Sequence, residues 1–219
     1  DYIICVAKTE LGGTSLFVVD GKASGIERTL LKTVAADKQF EVVFNNTKVP
    51  SGALLCEQDK GDALVKSLME YASIAKCAEM IGGAQRVFEM CVNYSKERVQ
   101  FSRPIGSFQS IQNHIANMAV DLQGSRWTTY QAAWLLDQGF SCSREVAVAK
   151  AWTNEACKRI VNLGFQIHGG YSITMDHDIQ LFFRRMKAAE LAFGDTNYFM
   201  GSIKNELKLS KDSRLVEVH

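Results

Sequence analysis

Residues Tyr94–Gln109 read Tyr-Ser-Lys-Glu-Arg-Val-Gln-Phe-Ser-Arg-Pro-Ile-Gly-Ser-Phe-Gln, and this stretch separates two long helical patterns. Pro104 and Gly106 interrupt the helical spacing, since proline lacks the N–H that a helix interior needs and glycine is conformationally free. Upstream, Asp62–Gln100 carries apolar or small residues at Leu64, Leu68, Tyr71, Ala75, Ala78 and Gly82, three and four apart, the period of one helix face. Such a helix would run roughly 60 Å. Its middle holds Ala72, Ala75, Ala78, Gly82, Gly83 and Ala84, small enough to let neighbours approach, so this segment is expected to be the central helix. Downstream, Gln109–Gln138 places Ile111, Ile115, Met118, Leu122 and Trp127 on one side, and Gly139 stands where a helix C-cap is expected. A third helix over about Ser143–Gly164, or slightly longer, carries Val146, Ala149, Trp152, Ala156, Ile160 and Leu163, and the Gly169-Gly170 turn follows. Shorter helices over Asp176–Ala192 and Asp195–Leu209 complete the pattern, with Asp195 or Thr196 as the last N-cap.

The first fifty-odd residues read differently. Tyr2–Lys8, Ser15–Asp20 and Gln39–Asn46 are short runs rich in Val, Ile, Phe and Tyr, separated by turn signals at Gly12-Gly13 and Asp20-Gly21. The imperfect alternation of Phe40–Phe44 predicts a strand buried over part of both faces. The fold class is therefore mainly α: a partial antiparallel β domain over 1–58, then an antiparallel four-helix-bundle-type domain over 59–219. Apolar residues lie around much of the circumference of Gln109–Gln138, which calls for burial on more than one face and hence for a partner subunit.

With 219 residues and a net charge of +1, the chain lacks the charge of a nucleic-acid or anionic-membrane binder. No apolar run approaches the roughly 20 residues of a membrane span. The chain opens on Asp1 with a strand already under way and no signal-peptide pattern, so an upstream part of a longer protein is expected to be absent. The six cysteines form no C-x-x-C pair and sit in apolar segments, as buried free thiols of a reducing cytoplasm would. His114, His168, His177 and His219 show no metal-ligand spacing.

Taken alone, the polar motifs leave two readings open each. Arg98 and Arg103 could satisfy helix-end carbonyls, or meet a phosphate ester beside the Phe101 ring. Gln166–Gly170 could be a helix C-cap and turn, or a backbone approached closely by a flat or anionic ligand. Phe193-Gly194-Asp195 could be an interhelix turn or a ligand-contact loop.

Together these segments resemble the acyl-CoA dehydrogenase family. The resemblance is strongest over Tyr94–Asp121, resumes at Gln166–Tyr171 and Arg184-Arg185, and includes Phe40–Pro50 as the last strand of the family's β domain. It covers nearly the whole chain, lacking the family's N-terminal helical domain and the first half of its β domain. It implies a place in fatty acid metabolism, FAD held between β domain and bundle, and subunits that share each cofactor. Arg98 would then meet the pyrophosphate and Phe101 the adenosine end, with Phe108 also among the cofactor-binding residues. Gln109, Gln166, Gly169 and Gly170 would contact the dinucleotide across the dimer interface, and Asp195–Asn197 would approach the flavin of their own subunit. Glu70, Ser73, Phe193 and Gly194 would border the acyl-CoA substrate.

The family's chemistry removes an α-proton with a glutamate while a hydride leaves the β-carbon. The position usually held by that glutamate is Phe193 here, and the alternative position on the first long helix is Ala72, beside Ser73. Glu79, two turns beyond Ala72 and expected to be buried with a raised pKa, and Asp195, beside the turn, are the candidate bases. Three readings follow: a dehydrogenase with a relocated base, a base-lacking subunit of a hetero-oligomer with a homologous catalytic subunit, or a flavin- or acyl-CoA-binding protein without its own dehydrogenation. The resemblance further implies a homodimer or dimer of dimers, and an electron-transferring flavoprotein as acceptor. A chain missing the strands that cover the flavin ring is expected to bind FAD weakly or not at all.

Overall fold

The structure is a computed structural model that describes residues 1–10, 12–174 and 176–212, with side chains to residue 207; His219 lies outside the described residues. The chain divides into two compact units, Asp1–Glu70 and Tyr71–His219. The division falls inside the first long helix, twelve residues beyond the boundary expected from sequence, because that helix starts at Asp62 within the first unit.

The first unit holds two antiparallel hairpins. β1 (Tyr2–Lys8) pairs with β2 (Thr14–Asp20), and β3 (Ile26–Leu31) with β4 (Gln39–Phe44). The sequence reading missed β3, whose Glu27 and Arg28 break any apolar alternation. Residues 54–61 run along the other edge of β2: Leu55 N–H donates to Leu16 O at 2.9 Å, and Gly61 N–H to Thr14 O at 2.8 Å. Ser15 and Leu16 are buried there. β4 departs from the expectation: Phe40, Val43 and Phe44 are exposed, since no described part of this unit covers either face of the second hairpin.

The second unit is the helical domain. α1 (Asp62–Glu97) ends in a small hairpin of β5 (Val99–Gln100) and β6 (Arg103–Pro104), which replaces the helical continuation expected to Gln100. α2 (Gln109–Asp137), α3 (Ser143–His168), α4 (Ile179–Leu191) and α5 (Thr196–Asp212) follow. Gly139 takes φ +71° and closes α2 as expected. α3 runs one turn past Gly164, within the longer extent expected, and the chain reverses at Gly169-Gly170 as expected.

The central element is α3, not α1. α2, α4, α5 and the turn after α3 all pack against it, and residues from Val146 to His168 are buried on several of its faces. α1 buries Ser73, Ile74, Cys77, Met80, Ile81, Ala84, Val87 and Cys91, whereas Tyr71, Ala75, Ala78 and Gly82, read as its inward face, are exposed. Small residues say little about which way a helix faces, so the larger Ile and Met side chains set the orientation. Gly83 is the exception, since a Cβ there would lie 2.1 Å from Met186 Cε of α4. Trp127 also turns outward, 66% exposed, in line with Val120, Tyr130 and Trp134 on the side of α2 opposite Met118, Leu122 and Ala132.

The six cysteines are free. Burial pushes the thiols of Cys77 up to about 11 and of Cys91 and Cys157 up to about 12. Because the thiolate is the reactive form, native alkylation followed by peptide mass spectrometry should label Cys5 and Cys56 first. Labelling of Cys91 or Cys157 at the same rate would contradict the packing described.

Candidate functional site

The predicted site residues fall into two groups at opposite ends of the helical domain. The first begins where α1 stops. Arg98 N–H still donates to Tyr94 O at 2.8 Å, and the chain then turns back through Phe101 and Ser102, so that Ile105 N–H reaches Arg98 O at 2.8 Å. Phe101 and Ser102 take φ of +53° and +64°. Positive φ at both central residues is the type I′ geometry usually supplied by Asn-Gly. Holding it with a phenylalanine costs about 1–2 kcal/mol per residue. The result is a ring that is 88% exposed at the hairpin tip. Phe108 stands edge-on to it at 6.1 Å between centroids, and the Arg103 guanidinium lies 4.1 Å above the Phe108 ring. Gln109 opens α2 on the surface, behind an N-cap position at which Phe108 offers no capping side chain.

Gln166, Gly169 and Gly170 lie at the end of α3 and are all exposed. Added Cβ atoms on either glycine would meet nothing within 4 Å, and Gly169 takes φ +61°. The sequence gives no sign that this turn neighbours the hairpin, but the fold brings them to one end: Tyr94 in the last turns of α1 stacks on His168 at 4.5 Å. His168 is buried, with Nδ1 donating to Gly164 O at 2.9 Å and Cys91 Sγ 3.9 Å away. His177 lies edge-on at 4.8 Å and receives the Ile179 N–H on Nδ1 at 3.2 Å. An exposed planar cation, an exposed ring, two amides and an open glycine backbone are a donor set that suits a dinucleotide.

The second group surrounds the turn between α4 and α5. Phe193 takes φ +60° and Gly194 φ +121°. A Cβ on Gly194 would lie 2.7 Å from Tyr198 Cδ1 and 2.9 Å from Phe199 Cε2, so both conformation and space require glycine. Asp195 Oδ1 accepts the Tyr198 N–H at 2.8 Å, which makes it the N-cap of α5, while Asn197 is exposed. Lys150 of α3, which the sequence reading passed over, donates from Nζ to Gly194 O at 3.3 Å. Nineteen residues of α3 separate Lys150 from Gly169, roughly 28 Å at the helical rise.

On α1, Ser73 is buried one turn before Cys77, whose thiol feels the charge of Lys150. In the first unit, the Glu70 carboxylate lies 3.9 Å from Lys66 Nζ. The burial expected of Glu79 is not observed: its side chain is 59% exposed and paired with Lys76 at 2.6 Å, because the Ala75–Gly82 face of α1 points outward. Glu190 is buried and paired with Lys187 at 2.9 Å. A groove of about 550 Å³ between α2 and α3, lined by His114, Asp121 and Arg159 among others, contains none of the predicted site residues. Among the described residues no cluster of His, Cys, Asp or Glu suits a metal ion, and no helix is long and apolar enough to cross a membrane.

Residues 59–208 match the family described as acyl-CoA dehydrogenase, C-terminal domain. The chain is 31% identical over 202 residues to 3-(aryl)acrylate reductase of Clostridium sporogenes, covering 89% of this chain and 53% of that one. It superposes with a TM-score of 0.92 on glutaryl-coenzyme A dehydrogenase in its glutaryl-CoA complex, at 28% identity, covering 100% of this chain and 58% of that one. It also resembles a chain of the ChsE4–ChsE5 complex from Mycobacterium tuberculosis, with a TM-score of 0.85 at 28% identity over 95% of this chain and 56% of that one. The chain thus spans about half the length of the relatives it matches.

Burial holds the His168 imidazole below its ordinary value of 6.5, the Gly164 carbonyl opposing and His177 adding to the effect. A depressed folded-state pKa means that the unfolded chain binds the proton first. The stabilising contribution is therefore whole above pH 6.5 and is lost as pH falls through the folded-state value. Denaturation midpoints measured from pH 7.5 down to 5 should fall more steeply for the wild type than for His168→Phe, and equal slopes would rule out this histidine as the source.

Proposed function

Because the chain belongs to the acyl-CoA dehydrogenase family, we propose that the protein is an FAD-dependent oxidoreductase performing α,β-dehydrogenation of an acyl-CoA thioester, with an electron-transferring flavoprotein as acceptor. The observation that carries this reading is the gathering of Arg98, Phe101, Phe108 and Gln109 with Gln166, Gly169 and Gly170 at one end of the bundle, joined by the Tyr94–His168 stack. FAD, when bound, supplies the acceptor for the hydride that leaves the β-carbon. Arg98 offers two parallel donors to its pyrophosphate. Phe101, backed by Phe108, offers a ring to the adenosine end, Gln109 and Gln166 offer amides, and the two glycines admit close backbone approach. At the other end, Asn197 and Asp195 border the flavin side.

The Phe193 backbone N–H donates to the thioester carbonyl, which makes the α-proton more acidic by stabilising the oxyanion that develops. Ser73 and Gly194 border the same substrate. Of the candidate bases, Asp195 is two residues from Phe193 and Glu79 lies on the open face of α1. Both carboxylates already have partners, Tyr198 N–H and Lys76 respectively. With a phenyl group at 193, that observation favours a second reading, a base-lacking subunit that completes a site with a homologous catalytic chain. Buried free thiols suit a reducing compartment, and we place the protein in the cytoplasm.

Anaerobic mixing of the intact, FAD-loaded protein with a panel of acyl-CoA thioesters separates the two readings. Bleaching of the flavin absorbance supports the dehydrogenase, and its loss in Glu79→Gln or Asp195→Asn identifies the base. No bleaching in the wild type, with bleaching restored in Phe193→Glu, supports the base-lacking subunit. No bleaching in either rules out both.

The outward face of α2 supports a homodimer or dimer of dimers. Burying one tryptophan stabilises an interface by about 1.5–3 kcal/mol. Trp127→Glu should therefore shift the sedimentation profile to smaller species without loss of helical signal, and an unchanged profile would place the interface elsewhere.

A further inference from the structure

Lys150 is 0% exposed, deep in the apolar surroundings of α3. A buried ammonium is costly unless its donors are met, and burial pulls its pKa below the ordinary lysine value. Four oxygens surround Nζ: Asn154 Oδ1 at 2.8 Å and the main-chain oxygens of Ala189 at 3.0 Å, Glu190 at 3.2 Å and Gly194 at 3.3 Å. Ala189 and Glu190 belong to the last turn of α4, where carbonyls have no partner within the helix and where a positive charge is favoured. Gly194 lies past the reversal. One ammonium therefore ties together the backbone on both sides of Phe193. Asn154 completes the arrangement by accepting from Nζ while its own amide donates to Glu190 O at 3.3 Å.

The turn held in this way is one that a polypeptide does not adopt freely, with Phe193 at φ +60° and Gly194 at φ +121°. A non-glycine residue persists there only where its surroundings fix it. We infer that Lys150, with Asn154, is a positioning residue: it fixes the backbone from Glu190 to Gly194 and thereby aims the Phe193 N–H at the substrate carbonyl. The inference rests on the reading that this turn borders the acyl-CoA site. The pyrophosphate- and adenosine-side contacts at the hairpin and at Gly169-Gly170 are roughly 28 Å away along α3, so that end responds separately.

The test is Lys150→Met in the FAD-loaded protein, a side chain of similar length without charge or donors. Hydrogen exchange of the amides in 191–198 should quicken about tenfold, the effect of losing one positioned hydrogen bond, while exchange in the α2–α3 core stays at the wild-type rate. Acyl-CoA affinity should weaken by a similar factor, while exchange at the Phe101 hairpin and at Gly169-Gly170 stays at the wild-type rate. Wild-type exchange at the turn overturns the inference. So does a uniform quickening across the whole bundle, which would mark Lys150 as a contributor to global stability alone. Where Lys150→Met does not fold, Asn154→Ala removes one of the four oxygens and one donor to Glu190 O, and should give the same pattern in smaller degree. A wild-type protein with no affinity for acyl-CoA overturns the functional premise, and the exchange comparison still decides whether Lys150 holds the turn.

Discussion

Three helices meet where α3 has no side chain. At Gly164 a Cβ would lie 2.7 Å from Ile179 Cδ1 of α4 and 2.9 Å from Val87 Cγ1 of α1. A glycine inside a helix costs about 1 kcal/mol relative to alanine, and overpacking such a junction costs about 1–3 kcal/mol, so the empty position is the less costly arrangement. Its influence is long-ranged because helices are stiff. Fixing the start of α4 against α3 also fixes where α4 ends, and that end is where its carbonyls reach Lys150. The same close contact places the last turn of α3 beside α1, so that His168 meets Tyr94.

Much of this fold was legible in the sequence, for identifiable reasons. The long helices announced themselves by apolar spacing and by the break at Pro104 and Gly106, and Gly139 marked its C-cap correctly. β3 was not legible, because a strand exposed on both faces has no alternation to read. The facing of α1 was misread for a related reason, since alanine and glycine cost little on either side of a helix and leave the decision to Ile74, Met80 and Ile81.

The candidate site was legible where it is contiguous. Arg98 to Gln109 form one local structure, and the short turn at Phe193-Gly194 is another. What could not be read is the tertiary part. A lysine in an apolar helical stripe is ordinarily taken to extend its amine to water, and nothing near Lys150 in the chain shows that the end of another helix will cover it. Glu79 failed in the opposite sense, because neighbours of low polarity suggested burial on a face that is open. In both cases the deciding partner is distant in sequence.

The hairpin at Phe101-Ser102 has a bearing on how binding free energy would be distributed. A flexible loop that must order itself around a ligand loses conformational entropy on contact, and affinity drops accordingly. Here the backbone is already in its unfavourable geometry before anything arrives, with the ring displayed and steadied by Phe108 and Arg103. The cost has been moved from the moment of association into the folding of the chain, where the rest of the bundle absorbs it. Sequence drift toward an unstrained turn would make the isolated domain firmer and its recognition surface worse, so selection for stability and selection for binding pull this one loop in opposite directions.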